Sequence, residues 1–198
     1  MRTGLRWGLT ALATIATPAT ALAHVGVGEA SGFMHGLMHP IGGLDHILAM
    51  VAVGVFAAYL GGRALWLVPT AFVVMMAFGG WLGGAGVAVP YVEVGIAASV
   101  VVLGVAVAAR LTLSAAAAAL LVGAFAIFHG HAHGAEMPIS ASGLTYAAGF
   151  MLATALLHMA GIGLGLGAER LGRRSDLALR AGGGVMAALG LGILANAI

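Results

Sequence analysis

Long stretches without a charged residue constrain this chain more than any other feature. No Asp, Glu, Lys or Arg lies between Arg63 and Glu93, between Arg110 and Glu136, or between Glu136 and Glu169. An apolar segment of about 20 residues is long enough to cross a bilayer as an α-helix. Charged residues make up only 7% of the sequence and hydrophobic residues 62%, against about 25% charged residues in a typical soluble domain. The chain is therefore predicted to be an all-α integral membrane protein.

Short polar breaks divide this apolar sequence into six predicted transmembrane helices. We expect them to form a six-helix bundle that occupies a single domain, residues 24–198. The predicted helices cover approximately residues 40–60, 64–82, 90–109, 112–129, 142–168 and 178–197.

Residues 1–23 have the pattern of a cleavable signal peptide. Arg2 and Arg6 supply a positive amino-terminal region, the stretch LTALATIA is a short apolar core, and the segment ends in the small-residue pattern ALA. The alternative is an uncleaved anchor helix, for which the apolar core is short. Cleavage would leave His24 as the first residue of the mature chain, where its amine and imidazole could together chelate a metal ion.

Composition also excludes several classes of site. The sequence has no Cys, so disulfides and thiolate metal sites are ruled out. Its eight basic residues are all Arg and do not form the clustered basic face that nucleic-acid binding requires. The glycine-rich stretch GIGLGLG lacks the lysine of a nucleotide-binding loop and a flanking strand, so no ATP-driven process is expected.

The first polar motif, HPIGGLDHILAM, covers residues 39–50 at the start of the first predicted helix. On a regular helix His39 and His46 would share a face but lie about 10.5 Å apart along the axis. Two imidazoles so placed could not bind one ion through bonds of about 2.1 Å. Either they form two successive sites or the helix is distorted, and Pro40, Gly42 and Gly43 favour distortion.

Two further side chains of this motif are candidates for the same chemistry. Asp45 could bind a metal ion directly or orient His46 as a hydrogen-bond acceptor. Met50 lies on the same helical face as His46, where a Met side chain is more often a packing residue than a ligand.

The second polar motif, FHGHAHGAE, covers residues 128–136. His129, His133 and Glu136 are spaced at i, i+4 and i+7, which places them on one helical face, and imidazoles at i and i+4 can chelate one ion. His131 would point away from that face. The alternative is a flexible, histidine-rich loop that captures metal nonspecifically.

Helical rise places several ionisable groups at a common depth. Asp45 and His46 lie about 7–9 Å into the first predicted helix, Glu93 about 5 Å into the third, and His129 near the same end of the fourth. Because ionisable groups inside a bilayer usually face a partner or a cavity, we predict one shared site. His158 falls near the midplane and is either a buried hydrogen-bonded imidazole or the next position on an ion path.

Both motifs are similar to the signatures of the HupE/UreJ family, H-P-x-x-G-x-D-H-x-x-x-M and F-H-G-x-A-H-G-x-E, and the resemblance extends to a signal peptide and six helices. It implies a secondary permease for nickel, in some members cobalt, that supplies hydrogenase or urease maturation. It also implies that the first motif contributes His39, Asp45 and His46, and the second Phe128, His129, His133 and Glu136.

From the residues and the resemblance together we predict transport of Ni²⁺, or Co²⁺, across the bacterial cytoplasmic membrane without ATP. No enzymatic activity and no tightly bound cofactor are expected. Glu93, His158, Met50 and Phe128 are predicted to line the path. One alternative is a membrane metalloenzyme or haem protein that uses the same imidazoles, and another is a capture protein that does not conduct. The sequence leaves open whether the protein is a monomer or a homo-oligomer.

The distribution of arginine predicts the orientation of the chain. Arg63, Arg110 and the segment 170–180 occupy alternate breaks, and the intervening breaks near residues 86 and 136 contain no Arg. Arginine-rich breaks remain on the cytoplasmic side, which places the mature amino terminus and the carboxyl terminus in the periplasm. Reporter fusions after residues 63, 110 and 174 should therefore report a cytoplasmic location, and fusions near 86, 136 and 198 a periplasmic one. A cytoplasmic signal at 136 would contradict this topology.

Overall fold

A computed structural model describes residues 32–137 and 143–198; the predicted signal peptide and His24 lie outside these residues. Within the two ranges the chain forms seven α-helices and no β-strand. They are α1 (Gly32–Gly42), α2 (Leu44–Leu60), α3 (Ala64–Gly84), α4 (Val92–Ala108), α5 (Ala115–Ala135), α6 (Gly143–Leu171) and α7 (Arg173–Ala197).

Most of these helices could cross a membrane, which makes this a multi-pass membrane protein. By length and composition α3, α5, α6 and α7 qualify, and α1 and α2 together form a fifth span if their bent pair counts as one. The apolar helix α4 has 17 residues and is shorter than the others. The count of six spans therefore stays a prediction, while the all-helical, membrane-spanning class agrees with the structure.

The predicted helix positions differ from the observed ones mainly at three ends. The segment predicted as 112–129 continues to Ala135, so that the whole second histidine motif except Glu136 is helical. The last helix begins at Arg173 rather than at residue 178. The first predicted helix is two helices, because the chain bends at Gly43.

Helices pair closely where glycine leaves room for a neighbouring backbone. The helix α3 packs on α5, α4 on α7, and both α1 and α2 on α6. A Cβ atom at Gly130 of α5 would overlap the carbonyl oxygen of Met76 on α3, and one at Gly134 would overlap that of Gly80. Such contacts between small residues are a common way for membrane helices to approach each other. They hold α5 directly against α3, and α5 carries the second histidine motif.

One end of the bundle is joined by the groups around Arg110. Its guanidinium lies 2.7 Å from Glu169 and 3.4 Å from Asp176, and its Cζ lies 4.5 Å from the centre of the Tyr59 ring. These contacts connect the end of α2, the loop between α4 and α5, and the junction of α6 and α7. We call this the arginine end; both histidine motifs lie at the other end, the histidine end.

Two glycines of α6 that share the same sequence pattern lie in different surroundings. A Cβ at Gly161 would overlap the Val51 carbonyl of α2 and lie 3.0 Å from the Gly54 Cα atom, whereas a Cβ at Gly163 meets nothing within 4 Å. We expect Gly161→Ala to destabilise the protein by about 1–3 kcal/mol, because the added methyl group overpacks a backbone contact. Gly163→Ala should be neutral or stabilising by up to about 1 kcal/mol, since Ala is the better helix former.

Thermal unfolding of both variants in the same detergent measures this difference. Gly163→Ala is the matched control, because it makes the same chemical change in the same helix. Equal unfolding midpoints for the two variants would show that α2 and α6 do not approach as closely as the structure indicates.

Candidate metal centre

The first histidine motif is divided by a sharp bend. The helix α1 ends at Gly42, α2 begins at Leu44, and their axes meet at 83°. Gly43 adopts an extended conformation, with φ −106° and ψ 121°. The distortion expected from Pro40 and the two glycines is therefore present. It brings His39 and His46, which a straight helix would keep apart, to the same imidazole on α5.

That imidazole belongs to His133. Its ring centre lies 4.7 Å from the ring centre of His39 and 4.4 Å from that of His46. The ring of His129, one turn earlier on α5, lies 5.1 Å from the ring of His46. Four imidazoles from α1, α2 and α5 thus form a continuous series of ring contacts, in the order His39, His133, His46 and His129. We call these four residues, together with Asp45 and Glu136, the histidine cluster.

A chain of hydrogen bonds determines which nitrogen atoms carry hydrogen. His46 Nδ1 lies 2.9 Å from Asp45 Oδ1; an ionised carboxylate only accepts, so Nδ1 donates. The Nε2 atom of a neutral His46 then accepts from His133 Nε2, which is 2.7 Å away. Consequently His133 Nδ1 carries a lone pair. That atom is buried and has no hydrogen-bond partner within the described residues.

Ser99 fixes the position of the ring hydrogen of His129 in the same way. The Ser99 hydroxyl donates its hydrogen to the carbonyl of Ile96, at 2.6 Å, so at 2.8 Å it accepts from His129 Nε2. His129 Nδ1 is therefore also a lone pair, buried and unpartnered in the part of the chain that the structure describes. A buried imidazole nitrogen without a partner is costly, and a bound metal ion would satisfy it.

Three donor groups already approach the geometry of a metal site. One ligand atom each from His39, His133 and Glu136 lies within 4.8 Å of the others. Three donors spaced evenly around one ion would lie about 3.6 Å apart, given bonds of about 2.1 Å. Shifts of less than about 1 Å would therefore close these three groups around an ion. Their burial increases from exposed Glu136 through partly buried His39 to buried His133.

Aromatic side chains of α6 form one wall of the cluster. Phe150 lies 4.4 Å from the His133 ring and 6.2 Å from the His39 ring, and Tyr146 lies 6.1 Å from the His39 ring. A cavity of about 710 Å³ between α3, α5 and α6 reaches His133 beside these two aromatic residues. The exposed His35 also stacks on His39, at 6.2 Å.

The predicted ligands of the two motifs come together, and the four residues predicted to line the path do not join them: Glu93, His158, Met50 and Phe128. His131 lies outside the cluster, as the helical spacing predicts: its Nε2 donates to the Val87 carbonyl at 2.7 Å. Phe128 packs its ring over Gly95 of α4. Glu93 is exposed, and within the described residues no hydrogen bond or ion pair joins it to an imidazole.

Met50 and His158 are both buried, in different surroundings. Met50 is completely buried in the apolar core one turn beyond His46, which is the packing role that its residue type favours. His158 lies deeper in the bundle and contacts the ring of Phe72 at 5.0 Å.

Sequence reasoning missed Ser99, Tyr146, Phe150 and the steric role of Gly43. A Cβ at Gly43 would lie 2.8 Å from His46 Nδ1 and 2.9 Å from Asp45 Oδ1, so a side chain there would disturb the Asp45–His46 pair. Ser99 carries the single hydroxyl group of the apolar run IAASVVVLG, and this isolated polar residue could have indicated a functional role. Tyr146 and Phe150 have the spacing of ordinary core residues, so nothing in the sequence indicates that they contact the cluster.

Comparison with known proteins agrees with the two motifs. The family model described as HupE / UreJ protein matches residues 12–193. Protein HupE of Rhizobium leguminosarum bv. viciae is 48% identical over 185 residues, which cover 93% of this chain and 95% of that protein. No solved structure matches this chain significantly.

The positions of the three imidazoles of the second motif lead to a binding prediction. His129→Ala and His133→Ala should each weaken Ni²⁺ binding by at least about tenfold, since losing even a partner of a metal ligand commonly costs that much. His131→Ala should leave affinity within about twofold, because the hydrogen bond of His131 to the Val87 carbonyl directs its ring away from the cluster. Calorimetric titration of the purified protein with Ni²⁺ measures all three.

The unfolding midpoint of each variant should equal that of the wild type, which shows that a loss of Ni²⁺ affinity does not result from unfolding. In a flexible loop the imidazoles would be interchangeable. Equal losses for the three variants would therefore favour the loop alternative over an ordered helical face.

Proposed function

Because this chain belongs to the HupE/UreJ family, we propose that it is a secondary permease for a divalent transition-metal ion, Ni²⁺ or Co²⁺. The observation that carries this proposal is the histidine cluster at one end of an apolar helical bundle. Ionisable groups within a bilayer cost about 2.5–3.5 kcal/mol each on insertion scales and usually line a path for ions or protons. Here α1, α2 and α5 bring six of them into one cluster.

The donor atoms suit first-row divalent metals. Imidazole nitrogen and carboxylate oxygen bind Ni²⁺, Co²⁺ and Zn²⁺ well, whereas Cu(I) prefers sulfur ligands. The sequence contains no Cys. Ni²⁺ and Co²⁺ accept the same ligands, so the preference for nickel rests on the resemblance to the family. In this proposal the ion is the substrate, it supplies hydrogenase or urease maturation, and no tightly bound cofactor or enzymatic reaction is involved.

The graded burial of the cluster provides a route for dehydration. An incoming hydrated ion would first contact exposed Glu136, then partly buried His39, and then the buried Nδ1 lone pair of His133. Each protein ligand replaces a water molecule, so the cost of dehydration is distributed over several steps. Asp45 keeps its own contact with His46 and fixes the orientation of that ring.

In the membrane, we propose that the histidine end faces the periplasm and the arginine end the cytoplasm, as positive residues favour. The protein would then lie in the bacterial cytoplasmic membrane and take its ion from the periplasmic side. Without an ATP-binding motif, the driving force is an ion gradient or the trapping of metal inside the cell.

The haem alternative conflicts with the packing of the cluster. Axial ligation by two imidazoles places them on opposite faces of the macrocycle. The four rings are instead 4.4–5.1 Å from one another in successive contacts, which leaves no space for a porphyrin between them.

Uptake of Ni²⁺ by proteoliposomes containing the full chain tests the proposal. The initial rate at subsaturating Ni²⁺ should exceed that of empty liposomes, and Co²⁺, which accepts the same ligands, should compete with Ni²⁺. The rate should fall as external pH drops from about 7 to about 5, because protons compete with the ion for the imidazole lone pairs and only the neutral form binds metal. The effect has this sign because protonation at low pH removes the lone pair that the ion requires.

His131→Ala is the matched control for the pH measurement, since it removes an imidazole outside the cluster. It should reproduce the wild-type pH profile. A rate that rises as pH falls would contradict competition between protons and the ion at the imidazoles, and an absence of uptake at every pH would contradict transport itself.

A further inference from the structure

In the described part of the chain, buried polar side chains extend from the histidine cluster onto α6. Among the described residues there are five of them, and three belong to the cluster or support it: His129, His133 and Ser99. The other two, Thr154 and His158, lie on α6. They are four residues apart, so they share a helical face, and His158 is the one nearer the arginine end. The polar interior therefore continues inward from the histidine cluster.

The buried His158 side chain has no hydrogen-bond partner within the described residues. It is 1% exposed, and neither of its ring nitrogens has a hydrogen-bond partner within residues 32–137 and 143–198. A neutral imidazole carries one N–H and one lone pair. Because leaving a buried polar group unsatisfied is costly, an orphaned one points to a missing water molecule or ion.

Phe72 lies between this imidazole and the cluster. Its ring centre is 5.8 Å from the ring of His129 and 5.0 Å from the ring of His158. The Phe72 side chain belongs to α3 and is completely buried. A single phenyl ring therefore separates the innermost imidazole of the cluster from the orphaned one.

Neutral polar atoms lie one helical turn from Phe72, toward the histidine end. The Thr154 hydroxyl donates to the Met76 sulfur at 3.7 Å; Met76 is four residues after Phe72, and Thr154 is four residues before His158. On the other side, His158 borders an open, mostly apolar groove of about 340 Å³ that runs along α3 to Leu65, near the arginine end. Neutral polar atoms therefore lie on one side of the Phe72 ring, and His158 with its open groove lies on the other.

We infer that His158 is a second metal-binding station and that the Phe72 ring is the gate between it and the histidine cluster. This inference rests on the proposed transport function. An ion leaving His129 meets the phenyl ring, and only a rotation of that side chain opens the way to His158. A site with one imidazole and water binds weakly, which suits a position that an ion must leave again.

A purely structural role for His158 makes the opposite prediction. Replacing an unsatisfied buried imidazole by an apolar side chain of similar size is neutral or stabilising. If His158 only fills space, His158→Leu should transport metal as the wild type does. If it is a station, the same variant should be at least as stable as the wild type and yet transport poorly.

The experiment measures initial Ni²⁺ uptake in proteoliposomes, Ni²⁺ affinity in detergent and the unfolding midpoint for each variant. We expect His158→Leu to reduce uptake by about tenfold or more while affinity at the cluster stays within about twofold. Phe72→Trp, which enlarges the gate, should also slow uptake by about tenfold, and Phe72→Ala should not slow it. Phe56→Ala is the matched control, because Phe56 is an equally buried phenylalanine of the same core.

The outcomes separate this inference from the proposed function. If the wild-type protein takes up no Ni²⁺, the proposed function fails. If the wild type transports and His158→Leu and Phe72→Trp do so at the same rate, the inference is overturned and the proposed function stands. Loss of uptake in His158→Leu together with a lower unfolding midpoint or lost cluster affinity would also overturn it, because the imidazole would then have a structural role. Slow uptake by Phe72→Ala but not by Phe56→Ala would refute the gate.

Discussion

The bend at Gly43 is the constraint on which the histidine end depends. On a straight helix His39 and His46 would be about 10.5 Å apart along the axis and could not reach a common partner. The 83° turn directs both side chains to His133, and the hydrogen bond of 2.7 Å between His46 and His133 then links α2 to α5. Without the bend the two motifs would remain separate metal-binding patterns on different helices.

The position of α5 depends in turn on glycine. Gly130 and Gly134 lie on either side of His133 in the sequence and bring the α5 backbone against Met76 and Gly80 of α3. In the same way, Gly36 and Gly149 let α1 and α6 approach each other, backbone to backbone. Because glycine has no Cβ atom, these helices can approach closely enough to place the imidazoles next to one another. In a bilayer, where apolar side chains gain little by leaving lipid for protein, such close contacts supply much of the helix association.

Much of this arrangement followed from local sequence patterns. The spacing of His129, His131 and His133 predicted which two would share a face, because α5 is a regular helix to Ala135. Depth along a helix was a weaker guide to the site. It placed Glu93 at the level of the cluster, but it did not predict that the Glu93 side chain is exposed.

Other features depend on contacts that the sequence does not encode locally. The support that Ser99 gives His129, and the position of Phe72 between two imidazoles, arise from the packing of α3, α4 and α6 around α5. The glycine pairs of α6 show the same limit. The pairs Gly161/Gly165 and Gly163/Gly167 have the same four-residue spacing, yet only the first pair contacts α2.

The hydrogen bonds from Asp45 to His133 have a direction. Each neutral imidazole must donate from one nitrogen and accept at the other, so the charge on Asp45 fixes the hydrogen position in His46, and His46 fixes that in His133. The lone pair on α5 is therefore determined by a carboxylate on α2, two rings away, without any movement of the backbone. This part of the cluster is polarised: one anion at its edge decides which nitrogen atom of His133 is free to bind a cation.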